Sequence, residues 1–177
     1  MFGFGKKKKF EPHTIENECG KFTMEYFNND PNQPTYCYDG ETILPLHNSD
    51  GEPIFARVEW DEIDPDRIDE CVAKGFARLK EVIDNFPYWE AKVKREALES
   101  EWLQWSVSEE DRRKGLVYLN YKDTITQEEF MSRIYVGSII IMDGERVEIW
   151  LNSDGYLLGD DGFGVIVDEN DNIIEYT

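Results

Sequence analysis

The chain has 177 residues, 40% of them hydrophobic, and sets 38 acidic side chains against 19 basic ones for a formal charge of −19 at neutral pH. That length and apolar content suit one folded domain and argue against a disordered chain. A surface this negative repels phosphate backbones and anionic membranes, which speaks against nucleic-acid binding and for a cation or a basic protein surface as partner.

Lys6, Lys7, Lys8 and Lys9 form one basic block, and the chain without those four charges carries −23. No apolar run follows the block, so no secretory signal is expected. Phe2 stands where a myristoylation pattern needs Gly. No stretch approaches the roughly eighteen consecutive apolar residues of a membrane span. Residues 1–20 read as a solvated tail, and residues 21–177 as a single α+β domain in which 21–60 can form an N-terminal β lobe. Cys19, Cys37 and Cys71 make neither a paired framework nor a C-x-x-C unit, which fits reduced thiols in the cytoplasm.

Phe22, Met24 and Tyr26 alternate with polar residues, Tyr36-Cys37-Tyr38 precedes Asp39-Gly40, and a third β-type run spans Ile54 to Trp60. The period then changes. Asp64 before Pro65 reads as a helix start, and Ile68, Val72, Phe76, Leu79, Ile83 and Phe86 lay one apolar stripe along a helix of about six turns. A second helix is expected from Tyr88 to Trp105, with Trp89, Val93, Ala97, Trp102 and Trp105 on one side. Ser108 to Lys114 is a charged boundary, and Leu116 to Tyr121 reads as a strand.

Thr126, followed by Glu129, has the spacing of a capping box, and Ile125 is placed to pack on Phe130, so a short helix is predicted from Gln127 to about Tyr135. Gly137 to Leu151 reads as a β-hairpin around the two-residue turn Asp143-Gly144. That turn predicts that Ile140 faces Val147, Ser138 faces Ile149 and Val136 faces Leu151 on the core side, with Ile141 opposite Arg146 and Ile139 opposite Glu148 on a mixed side that helices can partly cover. Further strands are expected at Phe163 to Val167 and Ile173 to Tyr176. The fold class is therefore α+β, with antiparallel sheet packed against two longer helices and one short one.

The stretch Ile125-Thr126-Gln127-Glu128-Glu129-Phe130, with Gly137 to Ile141, Val147 to Trp150 and the Asp-Gly-rich segment before the last strand, resembles the bacterial family catalogued as domain of unknown function 2262. The likeness is carried mainly by the last third of the chain. Phe163-Gly164-Val165-Ile166 has Val where the family's aromatic-Gly-His-aliphatic step has His. The resemblance implies a cytoplasmic bacterial setting and an α+β fold, and it supplies no catalytic residue to carry over.

No phosphate-binding or dinucleotide pattern is present; Gly159 to Gly164 reads as a turn whose two Asp would repel phosphate. His13 and His47 are the only histidines, and the spacing of His13, Cys19, Cys37 and His47 matches no zinc framework. A Cys37–His47 nucleophilic pair is not selected by anything local, and Cys37 reads as a small apolar residue between two tyrosines. Asp168 to Asn172 begins like a calcium loop but has Ile173 where that loop needs Gly. No catalytic residue, metal or cofactor is assigned.

From Asp143 to Thr177 there are ten acidic residues and a single base, Arg146. Asp154, Asp160, Asp161, Asp168 and Asp171 are the candidate partner-binding residues, placed at turns where a negative field would steer a basic partner. The reading is a non-enzymatic acidic protein-binding module, similar in size and charge to bacterial immunity proteins. The alternative is a hydrolase working through clustered carboxylates, with or without a divalent metal.

Overall fold

A computed structural model describes residues 14–27, 35–45, 53–60, 67–99, 108–119, 123–153, 158 and 162–177. The predicted Asp64 cap, Trp102 and Trp105 lie outside these residues. The described elements are strands β1 (Thr14–Asn17), β2 (Gly20–Phe27), β3 (Thr35–Thr42) and β4 (Phe55–Trp60), then helices α1 (Ile68–Asp84), α2 (Phe86–Glu99) and α3 (Glu109–Arg113). They continue with β5 (Leu116–Leu119), β6 (Asp123–Thr126), helix α4 (Gln127–Arg133), β7 (Ile134–Met142), β8 (Arg146–Ser153), β9 (Phe163–Val167) and β10 (Ile173–Tyr176). Residues 14–20, expected in the tail, instead form β1 and its turn into β2.

Eight strands make one sheet in the order β1-β2-β3-β4-β7-β8-β9-β10, and β5 pairs with β6 separately. The α+β class holds, and the sheet is mixed: every neighbouring pair is antiparallel except β4 and β7. The N-terminal strands are thus one half of a continuous sheet. The connection from β4 to β7 carries the helices, as a parallel pair requires a long crossover. No helix among the described residues is long and apolar enough to cross a membrane.

One face of the sheet carries Phe22, Met24, Tyr38, Ala56, Val58, Trp60, Ile139, Ile141, Val147, Ile149, Leu151, Val165 and Val167, and packs with the helices into a single core. On α1 the predicted stripe supplies Phe76, Leu79 and Ile83, joined by Val82. On α2 it is Trp89, Val93 and Ala97. Gly75 sits in the middle of α1, where Ala would be favoured by about 1 kcal/mol. A Cβ there would lie 2.4 Å from Val58 Cγ1 and 2.8 Å from Trp60 Cζ2, so glycine is what lets the helix lie against β4. Pro87 lacks an N–H for the Ile83 carbonyl, which ends α1, while Tyr88 and Trp89 donate to the Asn85 carbonyl and start α2.

The short helix begins as predicted. The Thr126 side-chain oxygen accepts from the Glu129 N–H at 3.0 Å, and Ile125 and Phe130 are both buried. The helix stops at Arg133, two residues short of the expected Tyr135, because Ile134 already enters β7.

The hairpin corrects the predicted register. Asp143 and Gly144 have the expected positive φ values of 54° and 71°, and the Glu145 N–H donates to the Met142 carbonyl at 3.1 Å. Glu145 stays in the loop, however, so Met142 pairs with Arg146, Ile141 with Val147 and Ile139 with Ile149. Ile139 and Ile141 are buried, and Ile140 faces the other way with Glu148. The two-residue register would have set Ser138 and Ile140 against the core in place of Ile139 and Ile141, giving up one isoleucine's burial for a hydroxyl. A register shift between Val136 and Ser138 then changes the parity, and Val136 faces Leu151 as expected.

Candidate interaction surface

Because strand side chains alternate, the registers also define the face turned away from the helices. One row across it reads Thr14, Thr23, Asp39, Arg57, Ile140, Glu148, Ile166, Glu175. The row on one side reads Glu16, Lys21, Glu41, Phe55, Ser138, Trp150, Gly164, and the row on the other Glu25, Cys37, Glu59, Met142, Arg146. None of these residues belongs to the core shared with the helices. The face therefore holds seven carboxylates, Glu16, Glu25, Asp39, Glu41, Glu59, Glu148 and Glu175, against the cations Lys21, Arg57 and Arg146. Its middle strands add a stripe of Phe55, Ile140, Met142 and Trp150, all at least partly exposed.

Arg57 organises the centre. Its Nε and Nη2 donate to the two carboxylate oxygens of Asp39 at 2.7 and 2.9 Å, and its Nη1 lies 3.8 Å from Glu59. Donating to Asp39 raises the guanidinium pKa above its ordinary value, so this cation is permanent and already has its partner. Beside it the Cys37 thiol donates to the Glu25 carbonyl at 3.7 Å. Burial first, and the Asp39 charge second, push this thiol up to about 12. Cys19, buried between β1 and α1, rises to about 11, again chiefly through burial. Both thiols are therefore held protonated, the opposite of what a nucleophile needs.

Toward the far edge, Thr177 continues the pairing beyond β10. Gly164 donates to the Thr177 carbonyl at 2.7 Å, and the Thr177 hydroxyl donates to Glu148 Oε1 at 2.9 Å. A Cβ on Gly164 would stand 2.1 Å from that hydroxyl and 3.1 Å from the Trp150 ring, so glycine keeps the edge flat beside the indole.

The sequence-predicted acidic candidates divide. Asp154, Asp160 and Asp161 lie outside the described residues. Asp168 folds its own loop: its Oδ1 accepts from the N–H groups of Asn170 and Asn172, both at 2.8 Å, and its carboxylate also takes the Asn172 amide. Those bonds from Asn172 hold its pKa below the ordinary carboxylate value. Asp171, at a positive φ of 64°, receives Arg78 Nη2 at 2.6 Å, and its carbonyl accepts from Lys92.

Arg78 is the residue that sequence reasoning missed. It is only 9% exposed, and besides Asp171 it reaches Glu81 at 2.8 Å and the carbonyls of Glu145 and Asp168 at 3.3 and 3.4 Å. Burial works against its charge, but the bonds to Asp171 and Glu81 outweigh it and its pKa lies above the ordinary value. Arg78 thus ties the β7–β8 and β9–β10 loops to α1, and it spends the Asp171 charge inside the fold. At the surface, Lys74 pairs with Glu145. The apolar periodicity of α1 could have flagged Arg78, since it sits between Phe76 and Leu79 on the covered side.

Among the described residues no group of three His, Cys, Asp or Glu side chains is placed to hold a metal ion. Comparison with known proteins finds no matching family model, no matching curated protein and no matching solved structure.

Proposed function

We propose that this chain is a non-catalytic binding protein that receives a basic protein partner on the outer face of its sheet. The observation that carries this reading is the composition of that face: seven carboxylates and three cations around a partly exposed stripe of Phe55, Ile140, Met142 and Trp150. An apolar centre with a charged surround is the usual anatomy of a protein interface, and complementary charge accelerates encounter. Glu148 and Glu175 bring part of the acidic C-terminal region onto this surface. The high thiol pKa of Cys19 and Cys37 supports binding over nucleophilic chemistry.

The test is a titration of the full chain with a decalysine peptide, followed by amide NMR shifts at low ionic strength. Shifts concentrated on β3, β4, β8 and β10 are the expected result. Shifts spread evenly over the exposed carboxylates of α1 and α2 would contradict it.

A further inference from the structure

We propose that the chain's own basic segment, Lys6 to Lys9, docks on the acidic outer face and competes there with a partner, so that the face carries a built-in pseudo-ligand. The inference rests on the reading of that face as a binding surface. Three observations support it.

The first is position. Thr14 opens β1 in the same row as Asp39, Arg57 and Glu148, with Glu25 on the neighbouring strand β2. The second is reach. Lys9 lies five residues before Thr14 and Lys6 eight residues before it. At about 3.4 Å per residue these spans extend to roughly 17 and 27 Å. With strands about 4.8 Å apart, β4 is roughly 14 Å and β8 roughly 24 Å from β1, so the block can reach the centre of the face.

The third is chemistry. The cations on the face are few, and Arg57 is already bound to Asp39, so the face lacks positive charge where the segment carries four lysines. An ammonium group of Lys6, the farthest-reaching of the four, placed over the Trp150 ring adds a cation–π contact. Tethering makes the contact intramolecular, at an effective concentration on the order of millimolar, so weak individual contacts suffice to occupy the face.

The experiment compares the full chain with a full-length variant carrying Lys6→Gln, Lys7→Gln, Lys8→Gln and Lys9→Gln. Amide NMR shifts are recorded at low and high salt without ligand, and decalysine affinity is then measured for both proteins. The expected result is a set of shift differences on the Asp39, Glu59, Glu148 and Trp150 strands at low salt that vanish at high salt. Decalysine should bind the glutamine variant about fivefold more tightly, because the competitor has been removed. Identical outer-face shifts in the two proteins, with decalysine binding that face equally in both, would overturn the tail inference and leave the partner-binding reading standing. Absence of decalysine binding to the face in either protein would overturn both.

Discussion

The two faces of the one sheet put the same strands to opposite uses. On the inner face, Val58, Ile139, Val147 and Val165 meet α1 and α2, and Arg78 is admitted at the end of that layer only because Asp171, Glu81 and two carbonyls satisfy it. On the outer face, Arg57 and Glu148 sit one residue away on β4 and β8, where the core imposes no demand on them. A charge on the inner side must be satisfied within the fold; on the outer side Arg57 pairs with Asp39 at the centre, while Glu25, Glu41 and Glu175 stand exposed around it. This is why Asp168 and Asp171, held by their own loop and by Arg78, are weaker binding candidates than the exposed carboxylates of the sheet.

The largest effect that sharpens this contrast is expected at Arg78. Arg78→Ala leaves Asp171 and the Glu145 and Asp168 carbonyls without their shared donor, and should cost about 2 kcal/mol in urea unfolding, the partly exposed acidic partners keeping it below a fully buried pair. A loss under about 0.5 kcal/mol would show that the inner layer does not depend on this clamp. Gly75→Ala comes next. The helix gains from alanine, but the Cβ meets Val58 and Trp60, and overpacking should win by about 1 kcal/mol. Stabilisation by Gly75→Ala would mean that α1 lifts from β4 without penalty.

Thr126→Ala should cost about 1 kcal/mol by removing the acceptor for the Glu129 N–H, read as a shifted denaturation midpoint with unchanged slope. The pH profile is bounded by groups of both signs. Asp168 has a lowered pKa, so its contribution is complete above the ordinary carboxylate value and is lost as pH falls through its folded value. The Cys19 and Cys37 thiols have raised values, so their contribution is complete below about 9 and declines as pH rises toward about 11 and about 12. A stability plateau between these limits, with Cys71 alkylated well before the other two thiols at neutral pH, is the expected outcome.

Local chemistry was the legible part of the fold. The Thr126 cap, the α1 stripe, the Asp143-Gly144 turn and most strands follow from residue types within a few positions of each other. What local chemistry could not reveal is pairing between distant segments. The parallel junction of β4 with β7 and the third loop residue Glu145 depend on which apolar set the helices cover. Asp171 looked free in the sequence because its partner Arg78 lies 93 residues away. The outer face was invisible as a surface until the registers brought Glu25, Glu59 and Glu148 together from three parts of the chain.

The central claim is that the placement of charge, beyond its total, determines binding. Two triple variants with the same change in net charge test it: Glu25→Gln, Glu41→Gln and Glu175→Gln on the outer face, and Asp69→Asn, Glu99→Gln and Glu128→Gln on the helical layer. All six side chains are exposed, so both proteins should fold with stabilities within about 0.5 kcal/mol of the parent. Decalysine association at low salt is the measurement. The outer-face variant should lose most of its affinity, by about tenfold, while the helical variant loses little. Equal losses in the two would contradict it, because only the total charge would then matter.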